Sequence, residues 1–235
     1  MQELDKVKIN FDSNGLWVLN IALALVMFGV ALGITFDDFK ALKKQPKPVL
    51  IGVLSQFVLL PFVTFLFVVL LKPQPSIALG MFMVAACPGG NISNFMTHIG
   101  KGNTALSISL TAIATFLAIL MTPLNFQFYS DLYPPTAEIL RTVQLNSYEL
   151  IKLVVLILGI PLVFGMLLRY KNEMLALRLS KLLRPLSILI FIAIVIIAFS
   201  KNLDVFNTYI HHVLTIGISH NIIAMLLGYF VASLF

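Results

Sequence analysis

"CPGGNISN", Cys87 to Asn94, interrupts a chain that is apolar on both sides of it. Pro88 removes a backbone donor and its ring clashes with the preceding turn. Gly89 and Gly90 permit the backbone angles that an interrupted helix needs. The break exposes carbonyls at the end of one half-helix and N–H groups at the start of the next. At bilayer depth each unpaired polar group costs several kcal/mol. Such a break survives only where it is buried in protein or lines a water-filled cavity, and secondary transporters use it to bind ions and substrates. A Pro-Gly kink relieved by neighbouring helices is the plainer reading, but a kink has no need of Asn91, Ser93 and Asn94 directly after it. The Asn-Ile-Ser triplet also fits the glycosylation pattern, yet inside a span no glycosylating enzyme reaches it.

The rest of the chain supports a membrane setting. Of its 235 residues, 59% are hydrophobic and 11% charged, with a mean hydropathy of +0.98; soluble domains carry about 25% charged residues. The lipid bilayer is therefore its solvent. A net charge of +6 would hint at nucleic acid in a soluble chain, but the basic residues fall in loops and no nucleic-acid partner is expected. A single cysteine, Cys87, excludes an intramolecular disulfide and has no metal-ligand spacing around it. Residues 1–15 are polar and contain Glu3, Asp5 and Asp12, unlike the basic start of a signal peptide.

Seven segments are long enough to cross roughly 30 Å of hydrocarbon, at about 16–36, 48–71, 76–99, 103–128, 147–169, 183–200 and 207–235. The fold class is all-α: a polytopic membrane protein in one transmembrane domain over 1–235, with its third helix broken. A β-barrel would show runs of about ten residues alternating in polarity, and these runs are continuous. Coiled-coil heptads are absent. Lys40, Lys43, Lys44, Lys47, Lys101, Arg169, Lys171, Arg178, Lys181 and Arg184 fall on one side, and Lys72, Arg141 and Lys201 on the other. By the positive-inside rule the larger set is cytoplasmic. The N-terminus is then outside and residue 235 inside, in a plasma membrane or bacterial inner membrane.

Several polar residues sit too deep for packing alone to require them. Ser107 and Thr111 share a helix face, extended by Thr104 and Thr115, and hydroxyl oxygens suit a hard monovalent cation. The alternative is that they satisfy their own helix or pack a neighbour. Gln56 lies beside Ser55, five residues before Pro61, as interhelical glue or as a functional group. His220 and Asn221 lie mid-span beside Ser219; the histidine is open to proton relay or to a hydrogen-bonded packing role. All ten acidic residues fall in loops or at span ends, whereas an ion-coupled carrier usually places a carboxylate at depth. A hydrolase built on Cys87 or Ser93 would need a base nearby, and His98 lies a turn away without an orienting acid. No enzyme is expected.

The motifs "FGVALGITFDDF" (28–39), "IGVLSQFVLLP" (51–61), "CPGGNISNFMTHIGKGNTALSISLTAIAT" (87–115) and "HNIIAMLLGYFVASLF" (220–235) closely resemble the bile acid:sodium symporter family. The resemblance implies that Ser93, Asn94, Ser107 and Thr111 line one sodium site and that Gln56 joins a second. It places Asn91 where an organic, bile-acid-like anion approaches, with His220 and Asn221 as further substrate candidates. Sodium is then the coupling ion, with no other metal and no cofactor, and homo-oligomerisation is compatible with the sequence. The family fold is an inverted repeat, in which 48–71, 76–99, 103–128 and 207–235 resemble the core and 16–36, 147–169 and 183–200 the panel. The family's second broken helix carries E-x-G-x-Q-N, which is absent here. The sequence is therefore expected to be a fragment or a shortened form that lacks the last two helices and does not couple sodium alone. The alternative expectation is a non-transporting membrane isoform that pairs with a full-length relative or acts as a receptor.

Overall fold

The structure, a computed structural model, describes residues 13–40, 45–142 and 152–234, and all of its regular elements there are helical. In chain order these are α1 (Ser13–Ala31), α2 (Pro46–Leu71), α3 (Pro75–Ala86), α4 (Asn91–Ile99), α5 (Thr104–Leu132), α6 (Pro134–Thr142), α7 (Lys152–Lys171), α8 (Glu173–Lys201) and α9 (Leu203–Leu234). Five of them, α2, α5, α7, α8 and α9, hold stretches long and apolar enough to cross a membrane, and α1 and α3 are shorter apolar helices. The chain is a multi-pass membrane protein. Side chains such as Leu182, Leu189 and Ile196 on α8 are mostly exposed, as lipid-facing groups are.

The third span divides as its sequence requires. α3 stops at Ala86, Cys87 and Gly90 are extended (φ -76°, ψ 147° and φ -91°, ψ 172°), and α4 begins at Asn91. Three other features depart from the segments expected above. The first helix ends at Ala31, short of residue 36, and a 3₁₀ turn follows at Phe36–Lys40. The expected loop before the sixth span is helix: α7 and α8 meet at Asn172. Its side chain accepts from Leu175 N at 3.0 Å, and its own N–H reaches Leu168 O at 2.9 Å. One residue caps both helices, so Lys171 ends α7 and Arg178, Lys181 and Arg184 lie on α8 instead of in a loop. Pro134 starts an additional short helix, α6. The predicted start of the fifth span, 147–151, lies outside the described residues.

The chain forms two compact units. The first holds α2 to α6 and α9 from His211 onward. Its apolar core joins Val68, Ala78, Phe82, Phe126, Tyr129 and Leu140 from α2, α3, α5 and α6. Phe65, Phe82 and Tyr129 lie with ring centroids 5.7–6.3 Å apart, within the range for favourable aromatic pairs. Thr136 ties α6 back to α5 by donating to Ser130 O at 2.6 Å.

The second unit holds α1, α7, α8 and the start of α9. Leu32, Ala176 and Leu183 are its buried centre. α1 and α7 close on each other at Gly165, where an added Cβ would lie 2.5 Å from Ala31 Cβ and 3.1 Å from Ala31 carbonyl carbon. Neither neighbour is the flexible end of a side chain, so the helices would have to separate. Gly165→Ala should destabilise the protein by about 1–3 kcal/mol, read as a fall of several degrees in its thermal midpoint in detergent. An unchanged midpoint would mean that α1 and α7 do not meet there.

Candidate functional site

Proline explains the first piece of the site. Pro61 has no N–H, so the Phe57 carbonyl four residues earlier loses its helical donor. α2 widens here into a π turn over Ser55–Leu59, a device frequent at functional positions. Asn125 on α5 supplies the missing donor, with its Nδ2 3.0 Å from Phe57 O. Gln56, inside the same turn, donates from Nε2 to Cys87 O at 2.8 Å.

The Cys87 carbonyl belongs to the frayed end of α3. Residues before proline favour extended backbone, and there the helix stops. Cys87 N–H still bonds back to Met83 O and Val84 O. The last carbonyls have no helical partner. Thr122 on α5 donates to Ala86 O at 2.8 Å, and Gln56 covers the next one. Gln56, Thr122 and Asn125 together satisfy three of the carbonyls at the break and the π turn, those of Cys87, Ala86 and Phe57.

Across the break, α4 turns hydroxyls and an amide toward α5. Ser93 Oγ donates to Gly90 O at 2.7 Å and closes the first turn of α4. Asn94 Oδ1 accepts from Ser107 Oγ at 2.7 Å and from Thr111 Oγ1 at 3.0 Å. Thr111 Oγ1 also lies 2.9 Å from Ser107 O, so its one proton divides between two acceptors. Thr97 Oγ1 donates to Ser93 O at 2.8 Å and sits 3.3 Å from Ser107 Oγ. Asn103 caps α5 by accepting from Leu106 N at 3.0 Å.

These groups border a cavity of about 450 Å³, within the range of small-molecule sites. Gln56, Ser93, Thr97, Asn103, Ser107 and Thr111 give it polar edges; Val53, Leu106, Leu110 and Ala114 give it an apolar wall. Among the described residues that line it, none is acidic. The chemistry available is that of neutral oxygens, suited to a hard cation, beside an apolar surface for an organic body. Gln56, Ser93, Ser107 and Thr111, expected from the sequence, line this cavity, and Asn94 is bonded to two of them.

The other candidates stand elsewhere. His220 is buried, with its Nε2 2.8 Å from Thr64 Oγ1 of α2. That is the packing role allowed for it above. Asn221 donates from Nδ2 to Gly217 O in its own helix at 2.9 Å, on an exposed face. Neither lines the cavity. Asn91 opens α4, and its side chain lies outside the described residues. Thr97, Asn103, Thr122 and Asn125 were not foreseen. Thr97 was within reach of sequence, four residues after Ser93 and so on one face. Asn125, a deep amide like Gln56, also carried a signal; Thr122 carried none.

A sequence profile described as the Sodium Bile acid symporter family matches residues 20–208. An "Uncharacterized sodium-dependent transporter" of Bacillus subtilis (strain 168) is 40% identical over 131 residues, 54% of this chain and 41% of the relative. The ileal sodium/bile acid cotransporter of Homo sapiens is 31% identical over 154 residues, 66% of this chain and 43% of the relative. A chloroplastic protein of Oryza sativa subsp. japonica, named a "Probable sodium/metabolite cotransporter", is 38% identical over 107 residues, 46% of this chain and 26% of the relative. The chain spans less than half the length of each of these relatives.

The buried pair on α2 and α9 is testable apart from function. Thr64→Val keeps the shape and leaves the His220 ring without its partner, which should destabilise the protein by about 1–3 kcal/mol. Thr64→Ser should recover most of that in the same thermal unfolding measurement. Equal midpoints for wild type and Thr64→Val would remove the hydrogen bond from the account.

Proposed function

We infer the function of this chain from the fact that it belongs to the sodium bile acid symporter family: it forms the cation-binding core of a sodium-coupled secondary carrier for an organic anion. The observation that carries the reading is the cluster of Asn94, Ser107 and Thr111 oxygens beside the unwound Cys87–Gly90 stretch, with Ser107 and Thr111 on the wall of the cavity. Unwound carbonyls and half-helix ends are the groups with which transporters coordinate sodium at membrane depth. A hydroxyl is both donor and acceptor. Rotating Ser107 and Thr111 away from Asn94 Oδ1 would turn lone pairs from all three residues, with Ser93, toward one dehydrated ion. Gln56 and the Cys87 carbonyl serve a second.

The neutral lining accounts for coupling. Neutral oxygens replace the hydration of an ion without cancelling its charge, and in a low-dielectric cavity that charge strongly attracts a nearby anion. A co-bound anion supplies the missing negative charge, so each ligand strengthens the binding of the other by the same factor. The first turn of α4, whose helix N-terminus is partly positive, would face the anionic group together with Asn91. Val53, Leu106, Leu110 and Ala114 suit an apolar body, which favours an amphipathic, bile-acid-like carboxylate or sulfonate. The division of the chain into two compact units, one with α2–α6 and α9 from His211 onward and one with α1, α7, α8 and the start of α9, supports a core and a panel that move as separate bodies during transport. The orientation keeps the basic residue clusters, such as Arg169 to Arg184, in the cytoplasm.

In cells making this protein, uptake of radiolabelled taurocholate should be higher with sodium outside than with potassium. Asn94→Ala or Thr111→Ala should reduce the sodium-dependent part roughly ten-fold, as expected for one lost buried polar contact to an ion. Equal uptake in the two salts would overturn sodium coupling, and normal sodium dependence in either variant would remove that residue from the site.

A further inference from the structure

Two side chains outside the cavity hold backbone carbonyls next to Gln56, which lines it, and Cys87, to which Gln56 is bonded. Thr122 and Asn125 lie three residues apart on α5, and so on one face, on either side of Pro123. Thr122 is buried, and neither residue lines the cavity. Each is bonded to a carbonyl one residue away from a candidate cation ligand. Thr122 holds Ala86 O, next to Cys87, and Asn125 holds Phe57 O, next to Gln56. Gln56 then bonds Cys87 O and joins the two anchored segments.

We propose that Thr122 and Asn125 are positioning residues for cation binding: they hold the end of α3 and the π turn of α2 so that Gln56 stays at the cavity with the Cys87 carbonyl bonded to it. The inference rests on the sodium-site reading above and goes further by assigning its geometry to residues that touch no ion. The peptide unit is planar and stiff, so anchoring Ala86 O orients the plane that leads into Cys87. Thr122 is buried, and a carbonyl freed among packed apolar side chains finds no ready substitute donor. A released segment must therefore rearrange to find another donor, and the ligand groups move with it. α5 thereby acts at two levels, with Ser107 and Thr111 at the cavity and Thr122 and Asn125 behind the break.

Cys87, the single cysteine of the chain and half-buried at the break, is a built-in reporter. Maleimide labelling of purified protein is followed in sodium and in potassium for wild type, Thr122→Val, Thr122→Ser and Asn125→Leu, with thermal midpoints recorded alongside. Thr122→Val keeps the shape without the hydroxyl and should label roughly three- to ten-fold faster than wild type, the effect of one lost hydrogen bond on an opening equilibrium. Thr122→Ser should label at the wild-type rate. The sodium concentration that half-protects Cys87 should rise by a similar factor in Thr122→Val and Asn125→Leu, with full protection still reached. A merely structural role would lower the midpoint and leave half-protection unchanged, which would overturn the proposal; so would equal labelling of Thr122→Val and Thr122→Ser. If sodium protects not even the wild type, the sodium-site reading fails, and positioning for a cation fails with it. Protection in wild type that Asn94→Ala abolishes and Thr122→Val leaves intact keeps that reading and rejects this inference alone. Should Thr122→Val not fold, Asn125→Leu against Asn125→Gln makes the same comparison.

Discussion

A backbone carbonyl at bilayer depth has no water to turn to, and this constraint governs the whole site. Breaking the third span leaves Ala86 O and Cys87 O without helical donors, and Pro61 does the same to Phe57 O. Thr122, Gln56 and Asn125 each supply one donor. Without them the unwound segment would be driven back toward helix or out of the protein. With them it becomes a fixed wall of a cavity. The break is stable because of polar side chains on other helices, and those same contacts join α2, α3 and α5 into one body.

The cluster across the break follows a different logic. Asn94, Ser107 and Thr111 hydrogen-bond one another, and each is a group whose proton or lone pair can be turned. The carbonyls of the break are held in place by side chains of other helices, whereas the hydroxyls opposite can rotate. The apolar face made by Val53, Leu106 and Leu110 completes a pocket with two characters.

The second unit repeats one device of the first. α7 carries a π turn at Val155–Gly159 two residues before Pro161, as α2 does at Ser55–Leu59 before Pro61. In both helices proline removes a donor and the turn before it widens. In α2 the widened turn presents Gln56; in α7 it contains only Val, Leu, Ile and Gly. The same backbone solution serves a polar site in one helix and apolar packing in the other, and the side chains alone make the difference.

The family and the all-α membrane fold were legible in the sequence because they rest on local features. Long apolar runs require helices in lipid, and Pro88-Gly89-Gly90 breaks a helix wherever it sits. That Ser107 and Thr111 share a face was legible from their spacing of four, whereas a role for them with an ion was an expectation from the family resemblance. The joint at Asn172 was not legible, because basic residues read alike on a loop and on a helix extending past the membrane. The partners of Thr122 and His220 lay further beyond reach: a lone hydroxyl or imidazole in an apolar run has no local sign of its partner. Residue types and periods decided the elements and the break. Which carbonyl meets Thr122, Asn125 or Gln56, and which histidine leaves the cavity for Thr64, depends on contacts between residues 31, 36, 68 and 156 positions apart. Only the packing of the helices brings such residues together.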